Sequence, residues 1–490
     1  MVVGECLMTA QLTSSTFYDT SNRTTGGVLY MKYVDHTLVS PTKDKELYDY
    51  CLSMSALTKN LRNAALFRMR QIFTGWERPE TERTQNQKDI FAEVALLQEM
   101  RPSVKIRRTI SRTHLEALMR ATENPDFFSG LPMQAAQQVL IQVVREWKSW
   151  LSSLREYKKH PEKYLGRPRM PGYTKSGLAT VTITNQDAVL YPIRDKDGRY
   201  HGMSMKLPLL AHRVRLSHLP ENARLREVKI KPYYGKFILS LTLESCAPPF
   251  FPDMPNLAGV DFGQDNIAAL VCTDGSSVVY KGGAVLAENQ MFAKCKASAI
   301  SDITRGHEHM RAASRHLDRL SLHHAMFVKD QMHKISTSII RFCVEHKAGV
   351  LVIGANKGWK QKANMGRRSN QNFVSIPLYM LRQMLNYKAM IAGISVIEQE
   401  ESYTSRADIT ASDPIPVYGH RPEGLSFSGR RVSRGLYQTS AGYRINADCN
   451  GAANILRKAI PDAWKGTKDF RFLAFPERMD FNSLNRERTA

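Results

Sequence analysis

At three places in this chain carboxylates stand beside apolar, strand-like runs, and that pairing is where chemistry is first expected. The stretch NLAGVDFGQDNIAALVCTDG carries Asp261 at the end of a short apolar strand, followed by a glycine turn and a second apolar strand. GISVIEQEESYTS at 393–405 ends another apolar strand in Glu398, Glu400 and Glu401. INADCNGAANILRKAI at 445–460 sets Asp448 directly before a helix whose first turn holds Gly451, Ala452 and Ala453. Each acid alone has an ordinary use: a strand-end aspartate closes a turn, Asp448 can cap its helix, and the glutamates can meet arginines. Three glutamates crowded at one strand end repel one another unless a cation offsets them. Taken together, the acids form a set able to hold two Mg²⁺ ions about 3.5 to 4 Å apart for phosphodiester hydrolysis. The small residues in the first turn of the last helix let it approach a sheet closely, which would bring Asp448 towards Asp261.

The composition fits that chemistry. Lys and Arg number 69 against 46 Asp and Glu, a net charge of +23 over 490 residues. A neutral small-molecule substrate is hard to reconcile with such an excess, whereas a polyanionic partner would neutralise it. Hydrophobic content of 42% with 9% aromatics suits two or three folded domains. No run of 18 apolar residues occurs and the amino terminus lacks the order of a signal peptide, so the expectation is an intracellular protein with no membrane partner. Seven cysteines, odd in number and never spaced CxxC, indicate neither a disulfide framework nor a Cys-ligated zinc; reduced, mostly buried thiols are expected.

Elements must position these acids. Residues 28–40 read as a strand, and from Lys45 to about Trp150 the pattern is helical. Leu57, Leu61 and Ala64 or Ala65 recur at helical spacing, with Arg62, Arg68 and Arg70 supplying a basic surface. A helix over Gln137–Lys159 puts Trp147 and Trp150 on one side. It ends in HPEKYLGRPRMPGYTK at 160–175, an extended segment where Lys163, Arg167, Arg169 and Lys175 interleave with Tyr164 and Tyr173. Such a segment suits a phosphate backbone and a stacked base, or else is a solvated loop. Strand patterns return over 176–247, clearest as a hairpin turning at Tyr233–Lys236. With the opening strand these suggest a small β-barrel interrupted by a helical insertion, and CAPPFFPDMPN at 246–256 marks its end. Beyond it, Val328, Met332, Ile335, Ile339 and Phe342 form a core-facing helical stripe. Arg311, Arg315 and Arg319, four apart, would put three like charges on one face for a phosphate backbone to relieve. His307, His309, His323 and His324 read as a solvated or RNA-facing surface before they read as a metal site.

The carboxy-terminal half resembles the TnpB nucleases of insertion sequences, relatives of the type V CRISPR effectors and of the eukaryotic Fanzor proteins. The likeness lies in GVDFG at 259–263, VLVIGANKGWKQ at 350–361, GRRSNQNFVSIPL at 366–378, EESYTS at 400–405, FSGRRVSRGLY at 427–437 and NADCNGAANILRK at 446–458. KNLRNAALFRMRQ at 59–71 and QQVLIQVVREWKSW at 137–150 resemble the family more weakly. The resemblance implies a multidomain α/β plus β-barrel fold. An OB-like wedge β-barrel would comprise 1–44 and 161–250, with a helical recognition insertion at 45–160. An RNase H-like (RuvC) nuclease core would follow at 251–405, a nuclease insertion lacking zinc ligands at 406–444, and the last RuvC segment with the tail at 445–490.

The same resemblance implies an RNA-guided DNA endonuclease that cuts next to a short adjacent motif and uses two Mg²⁺ ions and no zinc. Its partners would be a guide RNA and double-stranded target DNA. It would act as a monomer, in the cytoplasm or nucleoid of a prokaryote or the nucleus of a eukaryote. Asp261 matches the first acid and Asp448 the last. The middle acid departs from the common pattern: Gly354 stands where most relatives carry a glutamate. Some relatives, Fanzor among them, supply it from the neighbouring strand, which here is EESYTS. Glu401 is the expected ligand with Glu400 as its substitute, because strand alternation sends the two to opposite faces. Many relatives place two CxxC pairs before the last acid, yet residues 406–447 contain no cysteine. Nucleic-acid contacts are expected at Arg167, Arg169, Arg311, Arg315, Lys357, Trp359, Lys360, Arg430 and Arg431, with Arg434 beside them. Two rival readings are a nuclease-inactive RNA-guided repressor, whose mark would be lost acids, and an RNase H-like transposase or integrase, which needs strand-transfer partners.

Overall fold

The computed structural model describes residues 18–25, 28–246, 254–305, 313–355, 376–411 and 413–486. They fall into two compact units, one running over Val34–Ser245 and the other holding the opening residues up to Tyr33 together with the chain from Cys246 onward. The fold is mixed α/β and multidomain.

Strands β1 (Tyr18–Thr25) and β2 (Val28–Val39) pair antiparallel. Asp44 then caps α1 (Lys45–Gly75) by accepting from the Leu47 amide at 2.9 Å, and α2 (Gln85–Met100), α3 (Arg112–Ala121) and α4 (Met133–Lys159) complete a helical block. Six strands follow: β3 (Val181–Thr184), β4 (Val189–Arg194), β5 (Tyr200–Lys206), β6 (Val214–Leu216), β7 (Arg224–Tyr233) and β8 (Lys236–Cys246). They are arranged as two sheets, of order β1-β2-β8-β7-β3 and β4-β5-β6. The expected hairpin is present with Tyr233 opposite Lys236, and its two turn residues, Tyr234 and Gly235, take positive φ of 46° and 69°, which matches the twist of the strands it joins.

The arginines of α1 do not form the expected basic surface. Arg68 is buried and held by both carboxylate oxygens of Glu93 at 2.6 and 2.8 Å, and Arg62 lies 2.6 Å from Glu146. Arg62 and Arg70 also donate to the carbonyls of Gly172 and Pro171, while Asn63 exchanges hydrogen bonds with the Thr174 backbone. A segment with few backbone partners of its own is thereby tied down on α1 and α4, and Tyr173 faces Arg70. Arg167 and Arg169 stay exposed.

The second unit is built on a six-stranded sheet of order β13-β12-β9-β10-β11-β17. Strands β9 (Asn256–Phe262), β10 (Asn266–Cys272) and β11 (Ser277–Lys281) run antiparallel in turn. After α5 (Gly283–Thr304) and α6 (Arg315–Glu345), β12 (Ala348–Gly354) pairs parallel with β9. After α7 (Leu378–Ile391), β13 (Ser395–Gln399) pairs parallel with β12. A small sheet of β14 (Arg430–Ser433), β15 (Leu436–Gln438) and β16 (Arg444–Asn446) leads into α8 (Ala447–Ala459), and β17 (Glu477–Met479) and α9 (Phe481–Arg486) close the described chain.

Period-two alternation divides this sheet cleanly. Ala258, Val260, Leu351 and Ile353 face one core with α6 and α7, in which Val328, Met332, Ile335, Ile339 and Phe342 are all buried as their spacing predicts. Ala269, Val271, Val352 and the small residues of α8 form a second core on the other face. Gly259 makes that second contact possible: a Cβ there would meet the Ala452 carbonyl oxygen at 2.6 Å. Arg315 and Arg319 are exposed on α6, but the helix begins at Arg315 behind its Ser314 cap, so no three-arginine stripe runs along it, and Arg311 lies outside the described residues. His323 is exposed, while His324 is half-buried, donating from Nε2 to Asn289 Oδ1 at 2.7 Å and stacking on Phe292. His307 and His309 lie outside the described residues.

Lys388 on α7 is buried between the helices, donating to the His333 carbonyl and the Ser336 and Thr337 hydroxyls at 2.6 to 2.8 Å. Burial pushes its ammonium down to about 7 from the usual 10.5. The unfolded chain therefore binds more protons between pH 7 and 10.5, and stability rises with pH across that window. Lys388→Met is expected to stabilise the protein by about 3 kcal/mol at pH 7, with the gain shrinking towards pH 10, as denaturant titrations at several pH values would show.

Candidate active site

Asp261 occupies β9 on the same face as Gly259, so its side chain points at α8. Gly451, in the second turn of that helix, leaves the room it needs: a Cβ at 451 would lie 2.5 Å from Asp261 Oδ2. Asn446 caps α8 by accepting from the amides of Asp448 and Cys449 at 3.0 and 3.1 Å, which fixes Asp448 in the opening turn. The small residues Gly451, Ala452 and Ala453 thus let the helix bring Asp448 to Asp261.

The glutamates separate. Both lie just past the end of β13, in a turn, so their divergence comes from the turn and not from strand alternation. Glu400 receives Lys458 Nζ at 2.6 Å and the Ser402 amide at 2.8 Å. Burial alone would raise its pKa, but those hydrogen bonds and the lysine charge leave it below the ordinary value. Glu398 is engaged by Arg382 at 3.4 Å. Glu401 turns inward over the end of β12, where Gly354 takes the place of any larger side chain: a Cβ at 354 would stand 2.5 Å from Glu401 Oε2 and 2.8 Å from Ile455 Cδ1.

Electrostatics record the convergence. Asp261 is driven well above the ordinary aspartate range, first by burial and then by the charges of Glu401 and Asp448, with Arg431 pulling the other way. Burial, then Glu400, pushes Glu401 up to about 7 against the opposing Lys458. Like charges gathered at a shielded spot cannot all ionise without a counter-charge. Asp448 is held differently, accepting from Asn266 Nδ2 at 2.7 Å and from an Arg431 guanidinium nitrogen at 3.0 Å. Lys281 in turn donates to Asn266 Oδ1 at 2.9 Å.

All-oxygen donors of this kind match a hard divalent cation such as Mg²⁺, which would offset the burial of both carboxylates and the repulsion of Asp261 by Glu401 and Asp448. The side chains are not already drawn into a cage: among the described residues no three His, Cys, Asp or Glu groups are set to hold a metal. Arg431 at Asp448 is one visible reason.

Sequence reasoning missed the supports. Asn450 and Asn454, fully buried and four apart on α8, donate to the carbonyls of Thr404 and Ala407 and so fix the turn that follows Glu401. Their spacing of four on one helix face was the available signal, though it names no partner. Asp408 and Asp413, also buried, collect the amides of Thr410 and Ser440 and of Asp408 and Ser428 respectively, at 2.6 to 2.9 Å. They organise the cysteine-free insertion. Arg430 is exposed on β14, Arg434 pairs with Asp265 at 2.7 Å, and Lys357, Trp359 and Lys360 lie outside the described residues. The described cysteines are free thiols, buried except for the half-buried Cys295.

The chain is thus a multidomain mixed α/β protein whose larger sheet carries a carboxylate site where β9, the turn after β13 and α8 meet. Residues 252–360 match the model of the family described as OrfB_IS605, probable transposase, and residues 379–455 that of the Cas12f1-like TNB domain. These segments, which contain all four candidate acids, make the second half of the chain similar to the TnpB and type V effector family. The TnpB-like protein ORF457 of Acidianus two-tailed virus is 24% identical over 217 residues, 43% of each chain. The CRISPR-associated endodeoxyribonuclease Cas12f2 of Micrarchaeota archaeon is 27% identical over 133 residues, 26% of this chain and 23% of its own. The matches therefore span less than half the length of these curated relatives. Among solved structures, a Cas12f1–sgRNA–target DNA complex covers 87% of this chain and 100% of its own at 11% identity and a TM-score of 0.31. An AacC2c1–sgRNA binary complex covers 79% and 65% at 11% identity and a TM-score of 0.33. No described helix is long and apolar enough to cross a membrane.

Proposed function

We propose that this protein is an RNA-guided DNA endonuclease with an RNase H-like, RuvC-type core and a divalent-metal site formed by Asp261, Glu401 and Asp448. The observation that carries the reading is the convergence of these acids, with Gly354 and Gly451 each leaving the space that a carboxylate fills. The sheet order supports the core assignment, since an antiparallel β9-β10-β11 meander is extended by parallel β12 and β13 with helices on both faces. The family match and the net charge of +23 support nucleic acid as partner. In this reading the Val34–Ser245 unit contains most of the wedge barrel and its helical insertion, and holds guide RNA and the adjacent motif of the duplex.

Two Mg²⁺ ions at the three acids would activate water and stabilise the leaving 3′ oxygen. The chain's own contribution is to hold the acids ready. Asn266 and the Asn446 cap orient Asp448, the Asn450–Asn454 pair holds the turn behind Glu401, and Lys458 keeps Glu400 away from Asp261. Arg430 and Arg431, with Arg167, Arg169 and Arg315 elsewhere, supply phosphate contacts. The chain belongs in this reading to a subgroup with a relocated middle glutamate and no zinc.

The test is Mg²⁺-dependent cutting of a plasmid library by protein purified with its co-expressed flanking RNA. Asp261→Asn is expected to lower cutting by about 10³-fold or more while leaving copurified RNA unchanged. Guided binding without cutting by the wild type would favour a repressor, and absence of copurifying RNA would remove the guided reading.

A further inference from the structure

Beside the acids, Ser405, Arg406, Phe427, Gly429, Arg430 and Arg431 line a cavity of about 420 Å³ that touches the site described above through Arg431. Its wall is firm, with Phe427 stacked on Tyr403 at 6.5 Å and approached by Arg421 on its ring. Its lining carries three guanidinium groups and no carboxylate. Among the described residues Arg406 and Arg430 make no ion pair, and both are exposed. Arg431 alone of the three leans out of the cavity, reaching Asp448 at 3.0 Å and the Arg434 carbonyl at 2.9 Å from Nε. Three like charges at one concave surface call for an anion, and planar guanidinium forks suit phosphate oxygens.

We propose that this cavity is a phosphodiester subsite for single-stranded nucleic acid, and that Arg431 partitions between it and Asp448, so that arrival of a phosphate frees Asp448 for the divalent cation. The inference rests on the metal-site reading and adds a coupling to it. With the cavity empty, the guanidinium stands at Asp448 where a cation would bind, and the two positive charges exclude each other. A phosphate competes with Asp448 for the same donors. Metal loading and strand binding then reinforce one another, as reciprocal linkage requires. Cutting chemistry is thereby withheld until a strand is in place.

The experiment measures Mn²⁺ affinity by electron paramagnetic resonance on the full chain freed of nucleic acid, with and without a short oligodeoxynucleotide or its ribonucleotide counterpart. For the wild type a saturating oligonucleotide is expected to tighten Mn²⁺ binding about tenfold. Arg431→Gln should bind Mn²⁺ about tenfold more tightly without oligonucleotide and gain little from it, while Arg431→Lys should behave nearer the wild type. The double variant Arg406→Ala with Arg430→Ala should lose oligonucleotide affinity and the enhancement together. Whichever of the two oligonucleotides gives the enhancement identifies the strand. An Arg431→Gln protein of native circular dichroism whose Mn²⁺ affinity equals that of the wild type, or no enhancement by either oligonucleotide, overturns the proposal. Asp261→Asn separates the two levels: if it abolishes Mn²⁺ binding the metal site stands whatever happens at Arg431, and if it does not, the metal-site reading falls with the coupling.

Discussion

Glu401→Gln is expected to reduce Mg²⁺-dependent cleavage by about 10³-fold, whereas Glu400→Gln should stay within about tenfold of wild type. The two residues are neighbours in sequence and both are acidic, so the contrast isolates geometry from composition. Glu401 faces Gly354 and raises the proton affinity of Asp261; Glu400 is spoken for by Lys458 and the Ser402 amide. Removing the Glu400 charge leaves Lys458, whose side chain is only 7% exposed, with the carbonyls of Ser402 and Pro416 and no anion from the glutamate. Its cost should therefore appear as a loss of about 1 to 3 kcal/mol in stability. Cleavage rates of the two variants, set beside their melting temperatures, decide the matter; equal losses of cleavage at unchanged stability would remove Glu401 from its assigned role.

Gly354→Glu should damage the protein in the wild-type background and do much less harm once Glu401 is replaced by glycine. A side chain at 354 starts 2.5 Å from Glu401 Oε2 and 2.8 Å from Ile455, closer than packed atoms tolerate. Two carboxylates would then contend for one space, with a like-charge penalty added to the clash. The single variant is expected to lose at least about 10²-fold in cleavage and about 2 to 3 kcal/mol in stability. In the Glu401→Gly background the incoming glutamate has the vacated volume and reaches towards Asp261 from the strand itself. That double variant should cleave at least about tenfold faster than Glu401→Gly alone. The measurement is a four-member cycle of cleavage rates, and strictly additive losses would show that the two positions do not share a site.

Much of this arrangement was legible before the fold was seen because it depends on periodicity. The apolar strand bearing Asp261 and the heptad-like stripe on α6 each hold in the structure, whereas the small residues of α8 fall in its second turn, because the helix opens at Ala447 and already contains Asp448. What was not legible depends on pairing. A list of arginines cannot say that Arg68 will find Glu93 or that Arg62 will find Glu146 and the Gly172 carbonyl, and for that reason Arg68 is buried and Arg62 half-buried. Glu400 and Glu401 point apart as expected, but the strand ends at Gln399, so the segment after β13 and not the pleat separates them. The spacing of Arg311, Arg315 and Arg319 suggested a helix face, yet Ser314 accepts from the Leu317 amide and starts the helix only there. Asn450 and Asn454 escaped notice because their partners are backbone carbonyls, which carry no sequence signature.

The insertion held by Asp408 and Asp413 has a consequence for where this protein can operate. Its fold is organised by carboxylate oxygens that accept from Thr410, Ser428 and Ser440, all supplied by the same polypeptide. Residues 406–447 contain no cysteine, so this segment presents no thiolate to an oxidant. A tool built on this scaffold would inherit that indifference to peroxide along the insertion.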